Sequence, residues 1–246
     1  MDLKNLTVDR RGLLLEKGHD DEIWKNHVCL APKAYNKNNV GRMFIGVKND
    51  FQISDLKEFN QAFCKSSINT DIKERINPIY RAVAVTDKKS GRELKFLGVH
   101  APCGNGFDER EAYWDQIIKR FTIKYAKEEA IALGDFNVFC PKYDAMVYDK
   151  LCGRELCILD TRGWNDVWLL KNYSKYPPKH ESRFTHYPTR SPENGRRLDY
   201  VFLSPELSKT IKVNEAYHEK SVLGREPGET KLSDHAILIV DINIKK

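Results

Sequence analysis

Polar side chains able to do acid–base or metal chemistry follow a short apolar run near the middle of the chain. Residues 130–133 are Ala-Ile-Ala-Leu, a run typical of a buried strand, and the next four residues are Gly-Asp-Phe-Asn. Since side chains two apart in an extended segment point the same way, we expect Asp135 and Asn137 to lie together at the strand end. The carboxyl ends of strands are where α/β sheets build their sites. An ordinary turn is the alternative, because Gly, Asp and Asn are common turn residues.

Two later stretches and one earlier stretch carry similar side chains at predicted strand ends. Asp199 interrupts a strand-like run, where a carboxylate is costly to bury without a partner. Asp234 and His235 directly precede the last apolar run, and such a pair is a common start for acid–base or metal chemistry. His100 ends an earlier run, so that four strand ends carry His, Asp or Asn.

Three short words follow one another along the chain: Gly-Asp-Phe-Asn at 134–137, Arg-Leu-Asp-Tyr-Val-Phe at 197–202 and Ser-Asp-His at 233–235. On these words the chain resembles the endonuclease/exonuclease/phosphatase superfamily, which includes exonuclease III, apurinic endonucleases and deoxyribonuclease I. The resemblance runs from about Leu13 to the C-terminus. It implies the α/β class and a four-layer sandwich, in which two packed mixed β-sheets have helices outside.

The resemblance also implies roles for the catalytic candidates His100, Asp135, Asn137, Asp199 and His235. His235 would be the general base or a phosphate contact, and the Asp199 carboxylate would orient its imidazole. Asp135 would position or deprotonate the attacking water, or interact with the leaving group. Asn137 would hydrogen-bond a phosphoryl oxygen, and His100 would act as a second acid or phosphate ligand. Both Asp135 and His235 remain candidates for the base.

Two carboxylates are predicted to hold a metal. In the superfamily a strand near the N-terminus ends in a metal-binding glutamate, and Glu16 fits that place after the apolar residues 12–15. An exposed glutamate after a short strand is the alternative. Asp234 would be the second ligand. A hard divalent cation, Mg²⁺ with Mn²⁺ as the alternative, suits carboxylate and water oxygens.

The N-terminus departs from the superfamily pattern. Members begin with a strand that carries an active-site Asn, followed by a crossover helix, but no helix with its connections fits between Asn5 and Glu16. We therefore predict one domain over residues 1–246, with its first strand atypical or missing. The same departure puts a complete metal site, and with it full activity, in question.

Hydrophobic periodicity predicts the elements that position these residues. The predicted elements are a loop over 18–39, a helix over 54–63 with Ser54 as N-cap, antiparallel strands at 79–85 and 93–99, a long helix over 107–129 and a short strand at 156–160. Trp164 and Trp168 are predicted to lie in the core, since paired tryptophans are more often core than binding platform.

A basic and aromatic loop over residues 174–197 precedes Asp199. It carries Lys175, Tyr176, Lys179, Arg183, Phe184, Tyr187, Arg190, Arg196 and Arg197. Such residues beside a site suit a nucleic-acid backbone and unstacked bases, and a solvated charged loop is the alternative. The predicted substrate contacts are Arg81, Lys179, Arg183 and Arg190. For Arg81 the alternative is a surface charge, and His180 and His186, which show no ligand spacing, are predicted to be surface or loop residues.

The whole chain suits a polyanionic partner. It has 246 residues, 41 Lys and Arg against 35 Asp and Glu, and a net charge of +6. No run is long enough to span a membrane, the first residues do not resemble a signal peptide, and the six cysteines form no C-x-x-C pair. We therefore expect a cytoplasmic protein with reduced thiols, no structural zinc site and no obligate protein partner.

These observations together predict a divalent-metal-dependent phosphodiester hydrolase, a nuclease acting on DNA or RNA. The same site chemistry would serve a phosphatase on a small phosphorylated molecule, which is one alternative. A nucleic-acid-binding protein of this fold with weakened catalysis is another, motivated by the atypical N-terminus. The basic charge favours nucleic acid as the substrate.

Overall fold

The structure, a computed structural model, describes residues 27–30, 45–76, 79–103, 107–139, 154–172, 183–187, 195–223 and 233–244. The chain divides into two compact units, unit 1 over residues 1–121 and unit 2 over residues 122–246. Across these described ranges, no helix is long and apolar enough to cross a membrane.

Unit 1 is organised by antiparallel strand pairs. Its elements are β1 (His27–Leu30), β2 (Ile45–Lys48), β3 (Phe51–Asp55), α1 (Lys57–Cys64), α2 (Thr70–Ile76), β4 (Tyr80–Asp87), β5 (Glu93–His100) and α3 (Phe107–Tyr113). α3 continues through a π-helical segment (Trp114–Lys119) into α4 (Arg120–Lys124), whose last three residues belong to unit 2. β1 pairs with β2, and β4 pairs with both β3 and β5. Buried Phe59 and Phe63 of α1 pack edge to face on Tyr80 of β4.

The long helix and the β4–β5 pair confirm two of the predicted elements. The helix ends at Lys124, before the predicted end, and its apolar face is buried as expected. The loop predicted over 18–39 is wrong at β1, because that strand is defined by pairing with β2 and carries no local signal. Ser54 is not an N-cap: it lies in β3 opposite Ala84, and α1 begins after Leu56 without a side-chain cap.

Unit 2 contains the remaining elements, with β8 at the centre of its first set of strands. The elements are β6 (Ala130–Asp135), α5 (Arg154–Thr161), β7 (Asn165–Asp166), α6 (Val167–Asn172), β8 (Asp199–Leu203), α7 (Pro205–Thr210), β9 (Ile211–Glu219), a 3-10 helix (Ser221–Leu223) and β10 (Ile237–Ile244). β8 pairs antiparallel with β6 and with β7, and β9 pairs antiparallel with β10. The Phe136 ring packs edge to face on Tyr200 and Phe202 of β8.

One predicted element of unit 2 is wrong and one packing prediction is confirmed. The strand predicted at 156–160 is the helix α5, whose buried Leu156 and Leu159 lie at helical spacing. A short apolar run fits a strand and a helix alike, so its local pattern did not decide between them. Trp164 and Trp168 are buried, as predicted.

The far ends of β6 and β8 are joined by one serine hydroxyl. Ser204 Oγ accepts the N–H of Ala130 at 3.1 Å and donates to the carbonyl oxygen of Glu128 at 2.6 Å. The same oxygen caps α7 by accepting the N–H of Leu207 at 3.1 Å, and Pro205 occupies the first helical turn. This fully buried hydroxyl therefore fixes the β6–β8 register that carries the site at the opposite end of the strands.

Ser204→Ala is expected to lower the free energy of unfolding by about 1–2 kcal/mol, because the cap is lost and two buried backbone groups lose their partner. Urea unfolding followed by circular dichroism measures the change. The exposed Ser221→Ala serves as control and should stay within about 0.5 kcal/mol of the wild type. An unchanged stability in Ser204→Ala would show that the hydroxyl does not hold the strands together.

Candidate active site

Two carboxylates face each other across the end of the β6–β8 pair. In the antiparallel register Asp135 is the direct partner of Asp199, and Gly134 is the partner of Tyr200. Gly134 has φ +126, a backbone conformation that glycine adopts far more readily than other residues. Like charges at directly opposed positions are destabilising. Such a pair at a strand end is therefore a feature that structure alone does not favour.

Asn137 is held against Asp135 by a tight turn that starts where β6 ends. Asn137 has φ +49, in the left-handed region that Asn tolerates. Its backbone N–H donates to Asp135 Oδ1 at 2.8 Å, and its side-chain Nδ2 donates to Asp135 Oδ2 at 3.1 Å. The two side chains lie together as predicted. An extended segment was expected to place them side by side, but it is a turn with two hydrogen bonds that brings them together.

His235 and Asp199 form the side-chain pair that the sequence predicted. Nδ1 of His235 and Oδ2 of Asp199 are 2.9 Å apart, and both side chains are largely buried. Asp199 is fixed from behind by Thr185, whose fully buried hydroxyl accepts the N–H of Asp199 at 3.2 Å and that of Leu198 at 2.9 Å. With the carboxylate on Nδ1, the Nε2 atom of His235 is left to meet a ligand.

His186, which the sequence analysis placed on the surface or in a loop, belongs to this site. It forms isolated antiparallel bridges with both Arg196 and His235, and its ring centroid lies 4.7 Å from that of His235. Its Nε2 is 3.6 Å from Oδ2 of Asp234. The prediction for His186 is therefore corrected. It failed because the position depends on pairing between distant segments, which no local spacing reveals.

The electrostatics of the site raise the pKa of Asp135 to about 7 from an ordinary 3.8. Burial is the largest cause, and the negative charge of Asp199 acts in the same direction. The Asn137 N–H and the nearby His235 oppose the shift without cancelling it. Asp135 is thus close to half protonated at neutral pH, a state suited to proton transfer.

The two histidines are shifted in opposite directions. Burial disfavours the charged form of His235, but the hydrogen bond and charge of Asp199, with Asp135 and Asp234, outweigh it and raise its pKa. Burial and the neighbouring His235 lower the pKa of His186, and the charge of Asp234 does not compensate. His186 is therefore neutral at pH 7, and its contact with Asp234 is not an ion pair there.

Some predicted site residues lie in unit 1. His100 ends β5 as expected, and its backbone N–H lies 3.2 Å from the hydroxyl of Tyr113. Arg81 lies in β4 and forms an ion pair with Asp55 at 2.7 Å. This pair was not anticipated from the sequence. The roles proposed for both residues stay predictions.

Part of the predicted site lies outside the described residues: Glu16, Lys179 and Arg190. Arg183 lies at the start of the described segment 183–187 and is half-buried. Their predicted roles as metal ligand or phosphate contacts therefore remain predictions.

The basic loop contains residues whose structural role differs from the predicted one. Phe184 and Tyr187 are buried, pack on each other edge to face and belong to a core cluster with Leu223 and Ala236, so they are not free to stack on bases. Arg197, counted among the basic side chains of the loop, is also buried. The two aromatic predictions and the assignment of Arg197 to a solvated or phosphate-binding loop are corrected accordingly.

Arg197 forms a buried ion pair instead of reaching a substrate. Its Nη2 lies 2.6 Å from Oδ2 of Asp166, and the two side chains are 1% and 8% exposed. The guanidinium also lies over the rings of Trp168 and Tyr200, with centroid distances of 5.1 and 4.5 Å. The positive charge of Arg197, two residues before Asp199, is thus paired with Asp166 inside unit 2.

The donor set of the site suits a divalent cation. One ligand atom from each of Asp135, Asp199 and His235 lies within 4.8 Å of the others, and the same holds for His186, Asp234 and His235. Burial and the facing carboxylate of Asp199 raise the pKa of Asp135, and a cation between the two carboxylates would relieve their repulsion. Oxygen donors in the first group are the ligands that Mg²⁺ or Mn²⁺ prefers.

Solved structures of other proteins share the fold of this chain. The endonuclease domain of TRAS1, a telomere-specific non-LTR retrotransposon, matches with a TM-score of 0.59 and 13% identity, covering 89% of this chain and 81% of that chain. The human Nocturnin catalytic domain, solved with a sulfate anion, matches with a TM-score of 0.56 and 17% identity, covering 98% of this chain and 78% of that chain. NExo, a 3′ phosphatase from Neisseria bound to a product DNA hairpin, matches with a TM-score of 0.53 and 16% identity, covering 90% of this chain and 81% of that chain.

These likenesses establish the fold class. The chain has the endonuclease/exonuclease/phosphatase fold, a mixed α/β sandwich, which confirms the fold predicted from the three sequence words. No protein-family model and no curated protein sequence matches the chain. The identities to these three solved structures lie between 13% and 17%, so the likeness concerns the fold, and function has to be argued from the site.

Proposed function

We propose that the protein is a divalent-metal-dependent phosphodiester hydrolase, and specifically a nuclease acting on DNA or RNA. The observation that carries the proposal is the His235–Asp199 hydrogen bond of 2.9 Å beside Asp135, whose pKa is about 7. In acid–base catalysis, one site commonly contains two titratable groups whose pKa values are pushed apart by their surroundings. The fold supports the proposal, since proteins that share it include an endonuclease domain and a phosphatase bound to a DNA product.

The directions of the pKa shifts support a proposed division of the roles that the sequence left open between Asp135 and His235. Asp135 is partly deprotonated at neutral pH, and we assign to it the positioning and deprotonation of the attacking water. Burial acts to lower the pKa of His235, but the hydrogen bond and charge of Asp199 outweigh it and raise the pKa. We assign to this ring the contact with a phosphoryl oxygen. Asp199 orients the ring through Nδ1, and Asn137 supplies an amide close to Asp135.

The cation would be held by carboxylates, with Mg²⁺ as the first choice and Mn²⁺ as the second. Asp234 and Glu16 are the proposed ligands, and Asp135 and Asp199 lie close enough to contribute. When bound, the cation neutralises charge that develops on the phosphoryl oxygens. Bound there, a cation would offset the repulsion between the facing carboxylates of Asp135 and Asp199, and the proton would be moved by the chain's own side chains.

A nucleic-acid substrate is expected to make binding depend steeply on salt, because each phosphate neutralised by Lys or Arg releases counterions. Lys179→Ala with Arg190→Ala should weaken binding of all sequences and flatten the logarithmic salt slope by roughly one per lost contact. Fluorescence anisotropy of labelled single-stranded DNA and RNA across a salt series, in Ca²⁺ or without metal, measures both effects.

The matched control for this experiment is an exposed pair of lysines in unit 1, Lys88→Ala with Lys89→Ala, which should leave the slope unchanged. A flat salt dependence in the wild type would contradict the nucleic-acid proposal. If the same preparation also released inorganic phosphate from small esters, the phosphatase alternative would replace it, because a small phosphomonoester engages too few phosphates to give a slope.

A further inference from the structure

A second group of side chains, the His186 cluster, consists of His186, Asp234 and His235. His235 is also a proposed catalytic residue, Asp234 is also a proposed Mg²⁺ ligand, and His186 has no role in the proposed hydrolysis. One ligand atom from each lies within 4.8 Å of the others. The backbone holds the cluster together: His186 is the antiparallel bridge partner of His235, and Tyr187 N–H donates to the Asp234 carbonyl oxygen at 3.0 Å. The closeness of the side chains is therefore preorganised and does not depend on their mutual attraction.

The distance between His186 and Asp234 fits shared coordination better than direct bonding. Nε2 of His186 and Oδ2 of Asp234 are 3.6 Å apart, which is too long for a hydrogen bond. Two ligand atoms on one tetrahedral ion with bonds of about 2.0–2.2 Å are separated by about 3.4 Å.

His235 is presented in the way that metal-binding histidines are. Its Nδ1 is tied to Asp199 at 2.9 Å, and a carboxylate on one ring nitrogen fixes the tautomer that offers the other nitrogen to a metal. The rings of His186 and His235, 4.7 Å apart between centroids, are tilted by 49° and not stacked. The cluster thus brings two imidazoles and one carboxylate within 4.8 Å of one another.

We propose that the His186 cluster binds a transition-metal dication of the Zn²⁺ class, and that this ion inhibits hydrolysis by occupying His235. Three protein ligands with a water in the fourth position form a common zinc arrangement, and two imidazoles favour Zn²⁺ over Mg²⁺. The inhibitory part rests on the proposed function, whereas the binding part stands without it. The site differs from the cysteine-based structural zinc site that the sequence excludes.

Zn²⁺ affinity of the metal-free full chain tests the site directly, by competition with a chromogenic zinc chelator. His186→Phe keeps an aromatic ring and removes both nitrogens, so Zn²⁺ should bind at least roughly 10–100-fold more weakly. His218→Phe is the matched control: it removes another half-buried imidazole of unit 2 and should leave the affinity unchanged. His186→Leu repeats the comparison if the phenylalanine variant does not fold. Equal Zn²⁺ affinity in wild type and His186 variants would overturn the proposal.

The inhibitory part is tested at saturating Mg²⁺, with each variant normalised to its own rate without Zn²⁺. The half-inhibitory Zn²⁺ concentration should rise in His186→Phe by the same factor as the dissociation constant. Zn²⁺ binding through His186 in a chain that hydrolyses nothing would retain the site and remove the proposed function. If the protein hydrolyses the substrate and Zn²⁺ inhibits wild type and His186→Phe at the same concentration, the proposed function stands and the inhibitory role of the His186 cluster is overturned.

Discussion

His235→Ala and Asp199→Asn are each expected to lower kcat for phosphodiester hydrolysis by roughly 10²–10⁴-fold, which is the usual loss when a positioned acid–base group is removed. The structure explains why both changes act on one function. His235 makes its 2.9 Å contact with Asp199 through Nδ1, so Asn at 199 removes the charge that favours the imidazolium and disturbs the tautomer. Multiple-turnover rates on a labelled oligonucleotide at saturating metal measure the effect.

The double variant separates this account from two independent contributions. Because Asp199 acts through His235, the double variant should be only slightly slower than the slower single variant. His218→Phe, which changes a histidine outside the site, should keep the wild-type rate. Losses that multiply in the double variant would show that Asp199 has a role apart from orienting His235, such as metal binding.

Asp135→Asn is expected to stabilise the fold above neutral pH while abolishing activity. The native pKa of Asp135 is about 7 and its ordinary value is 3.8, so between these values the native state holds a proton that the unfolded chain has released. Stability is therefore lost as the pH rises from about 4 to 7, and the loss is complete above 7. At 1.36 kcal/mol per pKa unit, the cost reaches up to about 4 kcal/mol at pH 8.

The measurement is the free energy of unfolding in urea and EDTA at pH 5.5 and pH 8. The free energy of unfolding of Asp135→Asn should exceed that of the wild type by about 2 kcal/mol more at pH 8 than at pH 5.5. The wild type loses this stability over the roughly 1.5 pH units between 5.5 and the pKa of about 7, at 1.36 kcal/mol per unit. The exposed Asp160→Asn on α5 is the matched control and should show no widening. A constant difference between Asp135→Asn and the wild type would mean that the Asp135 carboxylate is not strained by its surroundings.

Such a gain on neutralising one carboxylate would also indicate a functional constraint. Asp135 faces Asp199 in the β6–β8 register, and a chain selected for stability alone would not keep like charges there. Catalytic and metal-binding sites commonly retain unfavourable groups of this kind at the expense of stability.

The sequence predicted the residues of the site better than the geometry that joins them. Asp135, Asp199 and His235 occur in ordered words at the ends of strongly apolar strands, and these strands form as expected. Strand pairing then brings the words together over long sequence separations, as in the direct opposition of Asp135 and Asp199. Neither that opposition nor the burial that, with the charge of Asp199, raises the pKa of Asp135 had a local signature.

His186 and Arg197 show why two predictions for the basic loop were wrong. Both lie in a stretch whose composition is polar, basic and rich in proline, which is typical of a solvated loop. His186 is placed by a bridge to Arg196 within the same loop and by a second bridge to the distant His235, and Arg197 is placed by an ion pair with Asp166. Local composition records neither partner, so it predicts exposure where tertiary pairing produces burial.

Metal-dependent cleavage of nucleic acid is the measurement that tests the central claim most directly. Wild type and His235→Ala, purified in parallel and stripped with EDTA, are incubated with plasmid, single-stranded DNA and RNA in Mg²⁺, in Mn²⁺ and in EDTA. We expect the wild type to cleave at least one of these substrates with either metal and none in EDTA, and His235→Ala to be slower by the 10²–10⁴-fold given above. Cleavage that persists in EDTA, or that is equal in the two proteins, would contradict the account.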